Sequence, residues 1–185
     1  MSRGRRIPDV SPGALEQAAF AYLERYASSA GNLRRVLMRR VERAVRAETI
    51  TRDEGRERID ALITRLEAKR LLDDAAYAEA RARSLSRQGR SKAEIARRLA
   101  AKGVDAETTE AAIGAVVEDG HSDLRAAGVL ARKRRLGPFR PKAERTERRE
   151  RDMAALGRAG FSFEIARKVV DTESVEALEA EISDF

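Results

Sequence analysis

Apolar residues recur at helical spacing along almost the whole chain, and short polar breaks cut them into segments. Leu15, Ala18, Ala19, Tyr22, Leu23 and Tyr26 make one stripe of a 3.6-residue period behind Ser11-Pro12, a serine cap followed by proline at the first helical position. On that stripe the tyrosines are expected in the core rather than free to stack on bases. The polar run Ser28-Ser29-Ala30-Gly31-Asn32 leads to a second helix with Leu33, Val36, Leu37, Val41, Ala44 and Val45 inward. Its other faces hold Arg34, Arg35, Arg39, Arg40, Arg43 and Arg46. Thr51-Arg52-Asp53-Glu54 is a capping box that opens a third helix carrying Ile59, Leu62, Ile63 and Leu66.

The same three-helix grammar returns twice. Asp73 or Asp74 caps a helix from Ala75 with Tyr77, Ala78 and Leu85 on its stripe, and Ser91-Lys92-Ala93-Glu94 reads as a second capping box before Ile95 and Leu99. Lys102-Gly103-Val104 stops that helix, and another follows from about Ala106 to Asp119. After Gly120, Ser122 caps a helix with Leu124, Ala127, Val129, Leu130 and Ala131. Gly137-Pro138 then turns the chain. A highly charged helix from Lys142 to Leu156 has Met153 and Leu156 inward. Its alternating Glu144, Glu147, Glu150 and Arg145, Arg148, Arg149, Arg151 suit pairs one turn apart.

Two of these endings match. Leu99–Gly103–Val104 and Leu156–Gly160–Phe161 place leucine, glycine and an apolar residue at one spacing, and each is followed at once by a new cap, Asp105 and Ser162. Ile113, Val116 and Val117 follow in the first copy, and Ile165, Val169 and Val170 in the second. Glycine accepts the left-handed geometry such an ending needs, and the apolar residue after it covers the last turn. Register kept across the turn indicates an internal repeat. The expected fold is therefore all-α, with tandem three-helix units and about nine helices. The boundaries fall at 1–10, a flexible basic arm; 11–72, 73–120 and 121–171, the three repeats; and 172–185, a loosely held acidic tail. In the first repeat Val41-Glu42 stands where the glycine stop belongs, so its second helix runs on.

Composition fits several small bundles better than one large core: charged residues are 37% of the 185 and aromatic ones 4%. The net charge of +7 is unevenly spread, with +6 over residues 1–46, −1 over 47–121, +7 over 122–158 and −6 over 171–185. Two cationic blocks point to a polyanion, or to a partner already bound to one. Without cysteine there is no disulfide framework or thiolate metal site, and the single His121 cannot build a multi-histidine site. His121 reads as a surface or capping residue, and Asp73-Asp74 as a cap rather than a catalytic pair. No phosphate-binding glycine loop is present. No apolar run reaches the roughly 20 residues of a membrane span, and the N-terminus lacks the apolar core of a secretion signal. A cytoplasmic protein without enzyme activity, cofactor or metal is expected.

At Leu71-Leu72-Asp73-Asp74-x-x-Tyr77-Ala78, then Ser91, Ile95, Leu99 and Lys102-Gly103-Val104, the sequence resembles the RecX family, regulators of the bacterial RecA recombinase. Arg134-Arg135-Leu136-Gly137-Pro138-Phe139 and Leu156-x-x-x-Gly160-Phe161 are also similar to family patterns. The resemblance covers roughly residues 14–171. It implies tandem three-helix repeats in an elongated, curved molecule that binds along the groove of the RecA–single-stranded DNA filament, reducing ATP hydrolysis and strand exchange. The long second helix of the first repeat and the acidic tail depart from the pattern.

The residues expected to meet filament DNA phosphates or acidic RecA side chains lie on all three repeats. They are Arg34, Arg35 and Arg39 in the first; Arg81, Arg87, Arg90, Lys92, Arg97, Arg98 and Lys102 in the second; and Arg132, Lys133, Arg134 and Arg135 in the third. Free DNA should be bound weakly and without sequence preference, membranes not at all, and the chain should be a monomer. The runner-up is a transcriptional regulator that reads duplex DNA with one helix-turn-helix-like unit.

Overall fold

The structure, a computed structural model, describes residues 7–183. Residues 1–6 of the expected basic arm lie outside that range. Just after them Val10 is buried, and the Asp9 and Val10 carbonyls accept bonds from Arg40 and Arg58.

Among the described residues the secondary structure is helical throughout. The α-helices are α1 (Pro12–Leu23), α2 (Ala30–Val45), α3 (Arg52–Ala68), α4 (Asp74–Arg87), α5 (Lys92–Ala100), α6 (Ala106–Glu118), α7 (Asp123–Arg134), α8 (Arg145–Arg158), α9 (Phe163–Asp171) and α10 (Val175–Ser183). Two single 3-10 turns, Gly137–Phe139 and Lys142–Glu144, join α7 to α8. The tenth helix comes from the segment read as a loose acidic tail. Ser174 Oγ accepts from the Ala177 amide at its start, and Leu178 is fully buried, which anchors it.

Local chemistry explains most of the helix starts. Ser11, Ser29, Thr51, Ser91, Asp105, Ser122 and Ser162 each accept an amide three residues on, satisfying one of the free donors of a first turn. Asp73 does the same for α4 through the Ala76 amide. Thr51 and Glu54 form the full reciprocal box. Ser91 forms only half of one, because the Glu94 carboxylate is held by Arg97 and Arg98 and does not return to the Ser91 amide. Ala30–Asn32, expected in the break, are already the first turn of α2.

The chain folds as two compact units, the first reaching Tyr77 and including Lys102–Val104, the second formed by Ala78–Ala101 and the chain from Asp105 on. In the first, α1, α2 and α3 pack around Leu15, Leu33, Leu37, Ile59, Leu62, Ile63 and Leu66. At 16 residues α2 is nearly twice as long as α5 or α9, as the missing glycine stop predicts. In the second unit, α7, α8 and α9 surround Leu130, Leu156, Phe161 and Val169, with Leu178 of α10 in the same cluster. Gly103 and Gly160 both have left-handed φ, 80° and 89°, and the Phe161 amide bonds to the Leu156 carbonyl, closing the last turn of α8.

Candidate nucleic-acid interface

The cationic helices are held by one joint used twice. In the first unit the Ser29 hydroxyl, which caps α2, donates to the Lys102 carbonyl (2.5 Å), while the Ala30 amide donates to Asp74 Oδ1 (2.7 Å). In the second unit the Ser91 hydroxyl, which caps α5, donates to the Ala159 carbonyl (2.8 Å), and the Lys92 amide donates to Asp123 Oδ1 (2.9 Å). Lys102 and Ala159 each precede a left-handed glycine, and Asp74 and Asp123 each open a helix. The capping serine and the next amide of one repeat therefore grip a helix stop and a helix start of the following repeat. Asp73 and Asp74 divide two jobs: the first caps α4, the second holds α2.

This framework sorts the predicted cations into paired and free groups. In the first unit Arg34 is paired with Asp60 at 2.7 Å, and the Lys102 ammonium donates to Asn32 Oδ1 at 3.2 Å. Arg35 and Arg39 are exposed without a partner among the described residues. In the second unit Arg97 and Arg98 both bind Glu94, so one carboxylate offsets one of their two charges and ties both side chains down. Arg132 binds Glu179 of α10 and lies over the Phe139 ring, 5.4 Å from its centroid. Lys133 donates to the Gln88 carbonyl at 3.0 Å. That bond brings the two predicted clusters of this unit together, since Gln88 sits between Arg87 and Arg90 and Lys133 sits in the last turn of α7. Arg81, Arg87, Arg134 and Arg135 remain exposed and unpaired among the described residues, and the half-buried Lys92 ammonium has no partner there. Arg90 is half-buried with its Nε enclosed and unbonded. His121 is a closing residue: its amide bonds to the Val116 carbonyl at the end of α6.

A second basic surface lies in the first unit, in a groove of ≈ 1260 Å³ between α1 and α2. Arg25, Arg39, Arg40, Arg43 and Arg46 line it together with Tyr22 and Tyr26. Sequence periodicity put both tyrosines in the core. Tyr22 is half-buried, but Tyr26 lies beyond the end of α1 and is 55% exposed.

Two comparisons bear on what this architecture belongs to. The family model for the RecX second three-helix domain matches residues 73–113. A regulatory protein RecX of Myxococcus xanthus (strain DK1622) is 46% identical over 172 residues, 92% of this chain and 91% of that protein. The chain belongs to the RecX family. Another regulatory protein RecX, from Agrobacterium fabrum (strain C58), is 43% identical over 106 residues, 57% of this chain and 55% of that protein. No solved structure matches the chain significantly.

The family-like stretch Arg134–Phe139 also shows what sequence reading missed. Its glycine amide, at Gly137, donates to Asp152 Oδ2 (2.9 Å), and Arg140 makes a two-pronged pair with the same carboxylate (2.8 Å on each prong). Asp152 is only 2% exposed. Burial opposes its charge, but the Arg140 and Gly137 bonds together hold its carboxyl below the ordinary carboxylate value. Arg145 donates to the carbonyls of Pro138, Arg140 and Glu173, and Arg149 grips both oxygens of Asp171 at 2.6 and 2.7 Å. Arg145 thus holds the connecting segments and Arg149 the end of α9, where pairs one turn apart were expected. The signal that could have found Asp152 is its spacing: it lies one turn before the buried Leu156. Among the described residues no helix is long and apolar enough to cross a membrane.

Proposed function

We propose that the protein is a non-enzymatic cytoplasmic regulator that binds along the groove of the RecA–single-stranded DNA filament. Bound there, it reduces RecA ATP hydrolysis and strand exchange, and so acts in recombination, DNA repair and the SOS response. Membership of the RecX family supports a regulatory role. The observation that carries the binding mode is the set of arginines without a partner among the described residues, distributed over successive helical units: Arg35 and Arg39 on α2, Arg81 and Arg87 on α4, and Arg134 and Arg135 at the end of α7. A filament repeats its phosphates and acidic side chains along an axis, and charges repeated along a chain match it better than one concentrated patch does.

The test is co-sedimentation with RecA filaments, with free RecA and free DNA as controls, and RecA ATP hydrolysis followed in parallel. Preferential binding to the filament with a fall in hydrolysis supports the reading. A footprint on one defined duplex site that survives moderate salt, without filament binding, would replace it with a transcriptional regulator.

A further inference from the structure

We propose that the groove between α1 and α2 binds single-stranded nucleic acid, stacking an unpaired base on Tyr26 while Arg39 and Arg43 hold the neighbouring phosphates. The site rests on the nucleic-acid half of the reading above, and its test omits RecA so that the two can fail separately.

Tyr26 is placed for this by its surroundings. Its amide bonds to the Tyr22 carbonyl (3.0 Å), which carries the helical path one turn past Leu23. Its ring packs on Tyr22 with centroids 5.1 Å apart and planes tilted by 41°. Tyr22 is fixed in turn, its hydroxyl accepting from Asn32 Nδ2 at 3.0 Å. An exposed aromatic ring backed by an anchored one is a rigid platform, and every base offers a face to such a platform regardless of sequence.

The charges around it are available. Arg25, Arg39 and Arg43 have no ion pair or hydrogen bond among the described residues. Among the described residues the one carboxylate lining the groove, Glu42, is bound to Arg52 at 2.7 Å. From Arg39 to Arg46 the α2 wall runs about 10 Å along the helix axis, so cations line a track rather than a point. A free phosphate would use the arginines but not the ring, and a duplex keeps its base faces stacked inside. An unpaired strand uses both.

The experiment measures binding of the full chain to a labelled oligothymidine, to an abasic strand of the same length and to a duplex. Tyr26→Ala should weaken oligothymidine binding by at least about fivefold and leave the abasic strand unaffected, while Tyr26→Phe keeps the wild-type affinity. Arg39→Ala combined with Arg43→Ala should weaken both strands and flatten the salt dependence by about 1.4 in log K per decade of salt. Thermal melting verifies that each variant is folded. Oligothymidine affinity unchanged in Tyr26→Ala, an equal loss on the abasic strand, or a duplex bound as tightly as the single strand would each overturn the site. So would a salt dependence untouched by the paired arginine change.

Discussion

Gly31 and Gly103 meet backbone to backbone: a Cβ on either would lie 2.9 Å from the Cα of the other. Gly31 is in the first turn of α2, and Gly103 is the left-handed stop two residues before Asp105, the cap of α6. The contact lets the Ser29 hydroxyl reach the Lys102 carbonyl, and a side chain at either glycine would push that bond apart.

Gly103→Ala should therefore cost more than the roughly 1 kcal/mol of a left-handed alanine alone. Gly31→Ala is the sharper test. In an open helix the change stabilises by about 0.8–1 kcal/mol, but here the approach of Gly103 should make it destabilising. Gly114, with nothing within 4 Å of its would-be Cβ, is the control and should gain stability as alanine. Denaturant midpoints of the three variants read the signs directly. Equal gains in Gly31→Ala and Gly114→Ala would show that the contact is not maintained in solution.

The joint formed twice gives a paired prediction. Ser29 and Ser91 are both fully buried, and each caps its own helix while donating to a carbonyl of the next repeat. Ser29→Ala and Ser91→Ala should each cost about 2 kcal/mol, the upper end for a cap, because a part-buried carbonyl also loses its donor. The exposed cap Ser11 has no such second bond and should cost roughly 0.5–1 kcal/mol as alanine. A Ser11 loss as large as the other two would remove the distinction.

Much of this was legible in the sequence because caps and stops are local. The serine, three residues, and an amide are enough to define a helix start, and Leu99–Gly103 and Leu156–Gly160 repeat one stop at one spacing. What sequence reading lost is what depends on a distant partner. Arg132 looks free until Glu179 of α10 is folded against it. Glu94 was assigned to the Ser91 amide, but two arginines one turn on compete for it more effectively. Asp152 sits in a run of charges that reads as solvent-facing, yet Arg140 and the Gly137 amide compensate its burial. Tyr26 follows the stripe of α1 in sequence but stands past its end and is 55% exposed.

Asp152 should make stability depend on acid. Its folded carboxyl titrates below the ordinary value, so its contribution is fully present above that ordinary value and is lost as the pH falls through the lower, folded one. At neutral pH Asp152→Asn should cost about 3 kcal/mol, since Arg140 loses the charge of its largely buried partner and one of the two acceptor oxygens. The difference between wild type and variant should shrink as the pH is lowered toward 3. Urea denaturation across that range measures it, and a constant difference would assign the loss to packing instead of charge.

The sorting of paired from free arginines predicts which substitutions change binding. Arg97→Ala with Arg98→Ala removes two charges that share Glu94, so the local net charge falls by two but only one of the two was not already offset. Arg81→Ala with Arg87→Ala, or Arg134→Ala with Arg135→Ala, removes charges that no neighbour among the described residues neutralises. Surface changes of this kind usually alter stability by less than about 0.5 kcal/mol, so all three pairs should melt close to the wild type. Filament binding and inhibition of RecA ATP hydrolysis should fall clearly in the second and third pairs and only slightly in the first. Glu179→Ala is the complementary change: by releasing Arg132 it should strengthen filament binding. The measurement is filament co-sedimentation at two salt concentrations for each variant. Three arginine pairs that weaken binding equally would mean that net charge alone governs it and that the pairing seen in the fold has no bearing on the partner.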